Sequence, residues 1–486
     1  MKSFNFYTII IVTSSLTTPL FANFTVKKTG DTVVEPQALT IEGNFGKSIN
    51  GQAFQQSAVL THGNYQYIGF YDGNRRVCIG RRKLPLGECE IARFTDYDFK
   101  SNDSHNTISI GICPQDGTVH IAFDHHVHPL HYKVSKPGVA TKPDEHQWSP
   151  ALFGHISSEL EPKKPITITY PRFIQTPEGA LQFFYRKGGS GNGDSMMVDY
   201  DPKTATWKNT RQIDSGKGIF TNGKEVSRDR NAYPNGYDYD HLGKLHTTWV
   251  WREDAKGGNH DIQYAYSEDR GITWKNSAGH PLSTPAAIDT PGITVVKIDT
   301  LHGPINSQSQ AVDSMGHIHT VMSHSTEASL KAAPPSTTKS AFGPAAARRH
   351  HHYWRDDIGF WQHIELPGST GTRPKLFFDA KDNAYLIFGG NLADKPVEGE
   401  SDSPSSGQGL IIMAATANAK WSDWQVIHKE RGPFLSEMLG DNVRWKRDGV
   451  LSIMVQGNPK QPRDSTALRV LDFTFTQGPT PSPSKK

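Results

Sequence analysis

The chain has 486 residues, with 52 Lys and Arg against 49 Asp and Glu, so its formal net charge is +3. Hydrophobic residues make up 35% and charged residues 21%, which is a globular composition and not that of a disordered or coiled-coil chain. The near balance of charge gives no reason to expect a nucleic-acid partner, which usually requires a concentrated basic patch.

The first 22 residues have the pattern of an export signal. Lys2 precedes the apolar run 6–12, and Ala22 supplies the small residue expected at a cleavage site. Because the run is shorter than the ~20 apolar residues that span a bilayer, a membrane anchor is not expected. We therefore expect residues 1–22 to be a signal peptide and the mature protein to be secreted or periplasmic, with no membrane partner.

The three cysteines are too few for a disulfide scaffold of the kind found in small secreted domains. Cys78 and Cys89 flank a turn-rich stretch, and whether they pair is left open. Cys113 is expected to be a small buried hydrophobic residue.

A hairpin pattern recurs along the chain: a short alternating strand, a turn containing Asp or Gly, and a second strand. Seven copies occupy residues 57–71, 106–124, 171–186, 232–251, 309–323, 374–388 and 442–456. We predict an all-β fold, with one seven-bladed β-propeller over residues 23–477, because radial closure leaves few exposed strand edges. An assembly of several β-sandwich sheets is the alternative. Residues 478–486, rich in Pro, Ser, Thr and Lys, are expected to form a disordered tail.

Residues 267–274 match the Asp-box pattern S-x-D-x-G-x-T-W in full. In this motif the Asp and Ser side chains bond backbone amides of a hairpin turn while the Trp packs between strands. The motif supports the propeller prediction and says nothing about chemistry.

One end of the predicted blades is rich in His, Tyr and Arg. In an antiparallel hairpin, the residue that begins the first strand and the residue that ends the second lie at the same end. The end opposite the Asp/Gly turns collects His105, Asn106, His125, His126, Tyr170, Arg172, Arg186, Lys187, Arg228, Arg230, Tyr233, Arg252, His260, His302, Asn306, His324 and Arg373. We predict a binding site at this end, against the alternative that these strand ends are simply solvated.

These residue types favour removal of a proton beside a carboxylate. Arg offsets the charge that builds up on a uronate, His or Tyr takes the C5 proton, and Tyr or His protonates the leaving oxygen. The set offers no obvious pair of acids, which glycoside hydrolysis usually needs. We predict β-elimination on an acidic polysaccharide. The alternatives are a sialidase-like glycoside hydrolase, suggested by the Asp-box, and a non-catalytic carbohydrate-binding propeller.

A metal site is a further possibility at the same end. His260, His302 and His324 carry imidazoles, which suit zinc, but no short-range ligand motif joins them. The glycine-rich stretch 188–193 lacks the Gly-Lys-Ser/Thr of a phosphate loop, so no organic cofactor is expected.

Four stretches carry a family resemblance: residues 71–76, 103–109, 249–253 with 259–261, and the Asp-box. They resemble the BNR-repeat propellers of secreted marine bacterial ulvan lyases, above all polysaccharide lyase family twenty-five, with family twenty-four as a near relative. The resemblance implies a seven-bladed propeller that cleaves ulvan, a sulfated algal polysaccharide, between 3-sulfated rhamnose and a uronic acid. The product would carry a 4,5-unsaturated uronyl end.

The resemblance also implies roles for individual residues. The catalytic group would be His105, His125, Tyr170 and Arg186, and substrate would be held by Asn106, Arg228 and Arg230. Arg186 would neutralise the carboxylate, and Tyr170 would share the acid and base roles with His105 or His125. The family is associated with a structural zinc ion near the site, for which His260, His302 and His324 are the candidate ligands. We expect a monomer.

Overall fold

The recurring Asp/Gly turns close antiparallel hairpins in the computed structural model of the chain. The structure describes residues 22–43, 46–223, 225–254, 258–333, 345–368, 370–392, 408–435 and 437–478. The expected signal peptide, apart from Ala22, and the expected tail, apart from Gly478, lie outside the described residues.

The described chain is built almost entirely of strands. In chain order they are β1 (Phe24–Ala38), β2 (Thr40–Gly43), β3 (Gly46–Ser48), β4 (Val59–His62), β5 (Tyr65–Tyr71), β6 (Val77–Lys83), β7 (Cys89–Arg93), β8 (Ile108–Cys113), β9 (Thr118–Phe123), β10 (His126–Pro129), β11 (Tyr132–Val134), β12 (Thr167–Gln175), β13 (Leu181–Gly189), β14 (Asn192–Asp201), β15 (Thr206–Gln212) and β16 (Lys217–Asn222). They continue as β17 (Glu225–Tyr239), β18 (Leu245–Glu253), β19 (Asn259–Ser267), β20 (Thr294–Val296), β21 (Ser309–Val312), β22 (Ile318–Ser325), β23 (Arg348–Arg355), β24 (Trp361–Glu365), β25 (Lys375–Phe378), β26 (Ala384–Gly390), β27 (Gln408–Ala415), β28 (Gln425–Phe434), β29 (Leu439–Gly440), β30 (Val450–Gln456) and β31 (Thr466–Gln477).

Helices are few and short. The α-helices are α1 (Glu327–Ala332) and α2 (Asn442–Asp448), and the 3-10 turns are Pro143–Glu145, Pro150–Leu152, Ala345–Ala347 and Ala417–Ala419. No helix of the described residues has the length and apolar character needed to cross a bilayer.

The strands form seven blades, which confirms the predicted propeller. Blades one to six are β4–β7, then β8, β9 and β11, then β12–β15 with β10 on the inner edge, then β16–β20, β21–β24 and β25–β28. Blade seven consists of β29, β30, β31 and β1. β10 and β16 are additional strands that pair with the first halves of β12 and β17. The first strand of the central hairpin in blades one to six is β4, β8, β12, β17, β21 or β25, and in blade seven the leading strand is β29. We call the face at which these strands begin the mouth, and the opposite face the turn face.

The core lies between neighbouring blades, so the inner strands are buried on both sides. Every residue of β5, β8 and β9 is buried. The blades approach so closely that a Cβ added at Gly111 of β8 would stand 2.4 Å from the Cβ of Phe173 in the next blade. Only glycine fits at such an approach without displacement of the neighbouring blade.

On the turn face, side-chain hydrogen bonds stabilise the individual hairpin turns. His246 bonds Asp240, six residues earlier, at 3.2 Å, and Tyr385 bonds Asp379 at 3.0 Å with the same spacing. In the Asp-box, Asp269 accepts from the backbone N–H of Thr273 at 2.8 Å. These bonds satisfy turn groups that strand pairing leaves open.

The seventh predicted hairpin is wrong in its first half. Residues 442–448 form helix α2 rather than a strand, because Asp441 caps the first turn through the N–H of Arg444 at 3.0 Å. Gly449, with a φ of 66°, ends the helix in the left-handed conformation that glycine adopts without strain. The strand predicted after the turn is present as β30.

The first and last described strands close the ring. β1 and β31 pair from Phe24 and Gln477 to Ala38 and Thr466. The buried carboxylate of Asp472 in β31 accepts hydrogen bonds from Arg82 of blade one at 3.0 Å and from Arg444 of α2 at 2.7 Å. This buried ion network joins blade seven to blade one.

The cysteines are not paired: Cys78, Cys89 and Cys113 are all free thiols. Cys113 is buried, as expected for a small hydrophobic residue.

Candidate active site

Each blade supplies at least one polar or aromatic side chain to the mouth. In blade order these are Gln52 and Phe54 before β4, Asp103 and His105 before β8, Tyr170 in β12, Tyr233 in β17, Asn306 before β21, Arg373 before β25, and Glu437 before β29. His126, the first residue of β10, and Arg186 in β13 add to these. The contacts below join these groups into one site, which we call the mouth cluster.

Arg186 lies between two tyrosine rings in this cluster. Its Cζ is 4.8 Å from the ring centroid of Tyr170 and 5.4 Å from that of Tyr233. The side chain is 4% exposed, and none of its three guanidinium nitrogens has a hydrogen-bond partner among the described residues. A buried charge without a partner is costly, so this guanidinium is set up to receive an anion.

Tyr170 is aimed into the mouth by an irregularity of β12. The pairing of β12 with β13 shifts between Thr169 and Arg172, and Tyr170 has a φ of 54°, a conformation that strains a non-glycine residue. Burial, reinforced by the nearby Tyr233, raises the pKa of Tyr170. The phenol therefore stays protonated at neutral pH and can donate a proton.

The pKa of Tyr233 is shifted in the opposite direction to that of Tyr170. Burial raises the pKa of Tyr233, but the neighbouring Arg186 guanidinium, the Ser190 hydroxyl and the charge of Arg252 together stabilise the ionised phenol more strongly, so the pKa of Tyr233 is lowered. Its hydroxyl lies 3.2 Å from the Oγ of Ser190. The two phenols beside one arginine therefore differ in acidity.

Two imidazoles share one carboxylate. Asp103 binds the Nδ1 of His105 through one oxygen and the Nδ1 of His126 through the other, the latter at 2.6 Å, and the two rings stack at 4.3 Å. The two histidines hold the pKa of Asp103 well below its usual value although burial opposes this. An ionised Asp103 fixes the proton of each imidazole on Nδ1 and leaves Nε2 as the basic nitrogen. Burial lowers the pKa of His105, so its imidazole is neutral at pH 7.

The remaining members surround Phe54. Its ring centroid is 4.6 Å from that of Tyr170 and 5.6 Å from that of His105, and the Cζ of Arg373 lies 5.5 Å away. Arg373 donates to Glu437 at 2.7 Å. Both carboxylates of the cluster, Asp103 and Glu437, are thus engaged by neighbouring donors.

The structure brings three of the four predicted catalytic residues together: His105, Tyr170 and Arg186. It does not place His125 with them. His125 is completely buried, its Nε2 accepts from the backbone N–H of His131 at 2.9 Å, and burial keeps its pKa far below the usual value. The imidazole beside His105 belongs to the next residue, His126.

The predicted substrate-binding residues are dispersed. Arg230 is fully buried and donates to Glu253 at 2.7 Å and 3.1 Å, so it is an internal ion pair and not a cation facing substrate. Asn106 is also fully buried, with its amide nitrogen donating to Asp124. Arg228 is exposed on β17, and a role in substrate binding stays a prediction.

The predicted zinc ligands do not fit a common metal. His260 bonds Glu253 and Asp261, each at 3.0 Å, His302 bonds Asp299 at 2.7 Å, and His324 bonds Tyr353 at 2.8 Å. In the described ranges the one close group of three potential ligands is Asp103, His105 and His126. The hydrogen bonds of Asp103 account for that closeness. A structural zinc ion stays a prediction without an assigned site.

Several members of the cluster had no predicted role. His126, Tyr233 and Arg373 stand at strand ends in the sequence, but nothing there separates them from the other ionisable residues. Asp103 could have been found, because a carboxylate two residues before a histidine can reach its Nδ1. Phe54 and Glu437 precede inner strands in segments that show no pattern.

Comparison with known proteins finds a matching family and several similar proteins. A family model described as a BNR repeat-containing family member matches residues 65–368. Curated relatives include the long isoform of ulvan lyase from Pseudoalteromonas sp. (strain PLSV), 27% identical over 290 residues, which cover 50% of this chain and 28% of that protein. The short isoform from Alteromonas sp. (strain LOR) is 26% identical over 295 residues, covering 50% of this chain and 53% of that protein. The aligned region thus spans about a quarter to a half of these relatives.

Solved structures show the same fold at low sequence identity. The polysaccharide lyase Uly1 superposes with a TM-score of 0.68 at 16% identity, over 92% of this chain and 99% of that one. An ulvan lyase of polysaccharide lyase family 25, bound to -[GlcA(1-4)Rha3S]-, gives a TM-score of 0.61 at 11% identity, over 92% and 96% of the two chains.

Proposed function

The chain belongs to the BNR repeat-containing family, and we propose that it is a polysaccharide lyase that cleaves ulvan by β-elimination. The observation that carries the proposal is Arg186, a buried guanidinium with no hydrogen-bond partner among the described residues. A uronate carboxylate supplies the charge and the oxygen atoms that this guanidinium lacks. The relatives named ulvan lyase supply the choice of polymer.

The reaction follows from the groups beside Arg186. The carboxylate pairs with Arg186, which stabilises the charge that develops on it as the C5–H bond breaks. The Nε2 of neutral His105 takes the C5 proton, and the C5–H electron pair forms the C4=C5 double bond. The C4–O bond then breaks, and the Tyr170 hydroxyl protonates the leaving oxygen. Product release leaves His105 protonated and Tyr170 ionised, and a proton transfer through solvent restores both.

The carboxylates of the mouth cluster argue against a glycoside hydrolase. Such an enzyme needs one acid to protonate the leaving group and a second carboxylate to act on the sugar or on water. Asp103 is bound to two histidines and Glu437 to Arg373. Neither carboxylate is placed to do this work.

A polymer too large to cross a membrane has to be cut outside the cytoplasm. Export of the enzyme, as residues 1–22 suggest, agrees with this requirement. Arg228 and the other exposed cations near the mouth would hold the sulfated chain, and we propose that the enzyme acts as a monomer.

The test is incubation of the purified protein with ulvan while ultraviolet absorbance and reducing ends are followed together. A lyase produces new reducing ends together with the absorbance of the conjugated C4=C5 double bond. New reducing ends without that absorbance would mean a hydrolase. Binding of ulvan with no product of either kind would mean a non-catalytic propeller.

A further inference from the structure

The segment 51–57 occupies the centre of the propeller without belonging to any blade. It precedes β4, forms no strand, and buries Gly51, Gln52, Ala53, Phe54 and Gln55. A buried loop has to satisfy all of its backbone polar groups without water. This requirement shows in its contacts, which reach blades on several sides of the ring.

The contacts of the segment run to four other blades. The side chain of Gln55 donates to the carbonyl of Ile108 in blade two at 2.6 Å, and that of Gln56 donates to the carbonyl of Tyr237 in blade four at 2.7 Å. At Ala53, the N–H donates to Glu437 of blade seven and the carbonyl accepts from the Nζ of Lys375 in blade six. A seven-residue segment that meets these four blades has to cross the axis of the ring.

The segment carries two side chains, Gln52 and Phe54, into the mouth cluster. Phe54 packs against Tyr170 and His105, the two groups that the proposed reaction uses as acid and base, whose own centroids are 5.9 Å apart. The Cζ of Arg373 lies 5.5 Å from the Phe54 ring centroid, and Arg373 also donates to Gln52 at 3.4 Å. The Phe54 ring is thus packed against the proposed acid, the proposed base and a cation.

From these contacts we propose that residues 51–57 form a central plug, and that Phe54 on this plug is a positioning residue that fixes His105 relative to Tyr170. The inference rests on the proposed lyase reaction for its catalytic part. Phe54 is 2% exposed, so it acts through the groups packed on it rather than by touching substrate.

A substitution at Lys375 can remove one hydrogen bond that holds the plug without creating a cavity in the core. Lys375→Met keeps the length of the side chain and removes the donor to Ala53. Lys375 is half-buried, and burial together with the nearby Arg172 charge lowers its pKa to about 7, so removing its ammonium group is expected to cost little global stability. Lys381→Met is the matched control, because Lys381 is exposed at the far end of the same hairpin, on the turn face.

The first arm measures the plug by amide hydrogen exchange of the full chain, and it does not depend on activity. Lys375→Met should speed exchange across residues 51–57 by about tenfold while the other blades and Lys381→Met stay as in the wild type. Unchanged exchange in this segment would overturn the claim that the plug is tethered there.

The second arm measures turnover of ulvan. Phe54→Ala should lower kcat by about 10- to 100-fold with KM changed less than about threefold, and Phe54→Leu should recover part of the loss, because misplacing reacting groups by about 1 Å costs this much. Phe377→Leu, a buried ring nearer the turn face, should leave kcat unchanged. Wild-type kcat in Phe54→Ala would overturn the positioning role. A wild type that turns over no uronate polymer would overturn the proposed reaction and the positioning role with it, while the exchange result alone would still decide the plug.

Discussion

Arg186 is a buried cation that makes no hydrogen bond with a carboxylate among the described residues. The two tyrosine rings on either side contact the guanidinium carbon but leave its nitrogens without hydrogen bonds. An unpaired buried charge lowers the stability of the folded protein, and a bound carboxylate would offset that loss. The place of Arg186 beside one phenol of raised pKa and one of lowered pKa makes it the electrostatic centre of the site.

Replacing Arg186 should therefore damage the chemistry more than the fold. We expect Arg186→Gln to lower kcat/KM by about 10²- to 10³-fold, since one oriented charge on the developing enolate is lost. The kcat/KM of Arg186→Lys should lie between those of Arg186→Gln and the wild type, because an ammonium group keeps the charge but lacks the planar guanidinium geometry. Steady-state kinetics with ulvan measure both variants, with Lys208→Gln on the outer strand β15 as the control. Equal rates for Arg186→Gln and wild type would remove Arg186 from the mechanism.

Asp103 should control the pH at which His105 works. Its carboxylate stabilises the protonated imidazole and so opposes the effect of burial on the pKa of His105. In Asp103→Asn this support is gone, so the acidic limb of the kcat/KM profile should move to lower pH. The maximal rate should fall by about 10²-fold or more, because the imidazole is no longer held in one tautomer. A pH–rate profile between pH 5 and 9 tests both parts, and a limb that stays in place would mean that His105 is not the base.

The sequence could not separate His125 from His126. The two residues are adjacent, and which one reaches the mouth depends on the chain path after β9, where Asp124 has a φ of 64°. Irregular backbone of this kind leaves no periodic pattern. Arg186 and Tyr170 were predictable because Arg186 ends, and Tyr170 immediately precedes, the regularly alternating hairpin pattern of residues 171–186. Arg230 was misjudged because its partner Glu253 lies on a different strand, so the sequence does not show that they pair.

At the scale of the hairpin, the turns carry their own polar networks. His317 lies between Asp313 at 2.8 Å and Asp357 at 2.7 Å and links two hairpins of blade five on the turn face. The hydrogen bond to Asp313 is the main cause that raises the pKa of His317. A raised pKa means that the folded protein holds this proton more tightly than the unfolded chain.

That difference gives the stability a defined pH dependence. The contribution of His317 should be complete below the unfolded pKa of about 6.5 and should be lost as the pH rises through the raised folded value. We expect His317→Gln to lower the free energy of unfolding more at pH 5.5 than at pH 9. Urea unfolding at the two pH values measures this, with His280→Gln at an exposed histidine as the control. An equal loss at both pH values would contradict the ion-pair interpretation.

The hairpins themselves were the most predictable elements. Six of the seven predicted copies coincide with observed strand pairs, because alternation and an Asp/Gly turn are local signals. The seventh failed because the residues after Asp441 also fit a capped helix, and only the packing of Trp445 against the blade core decides between the two. The central plug had no signal at all, since its structure is imposed by contacts with residues more than 50 positions away.

For the whole molecule, the critical contact is the junction between blade seven and blade one. Asp472 is buried there with the guanidinium groups of Arg82 and Arg444, and Ser452 donates to it at 2.7 Å. A buried anion between two buried cations cannot be removed without leaving those cations unpaired. The junction is therefore held by this one carboxylate in addition to the pairing of β1 with β31.

We expect Asp472→Asn to cost about 3–5 kcal/mol of unfolding free energy, the usual penalty for breaking a buried ion pair from one side. The matched control is Asp31→Asn, which breaks a partly exposed pair with Arg469 on the same two closing strands and should cost less than about 1 kcal/mol. Denaturant unfolding of both variants gives the comparison. Similar losses for the two substitutions would mean that the buried network does not hold the ring closed.

The two strands that close the ring are synthesised far apart in time. β1 is made before the six blades that separate it from residues 466–477, and it has no partner until those residues have followed it. A nascent chain therefore carries an unpaired strand edge while those blades are being made. The ring can close only once β31 is available.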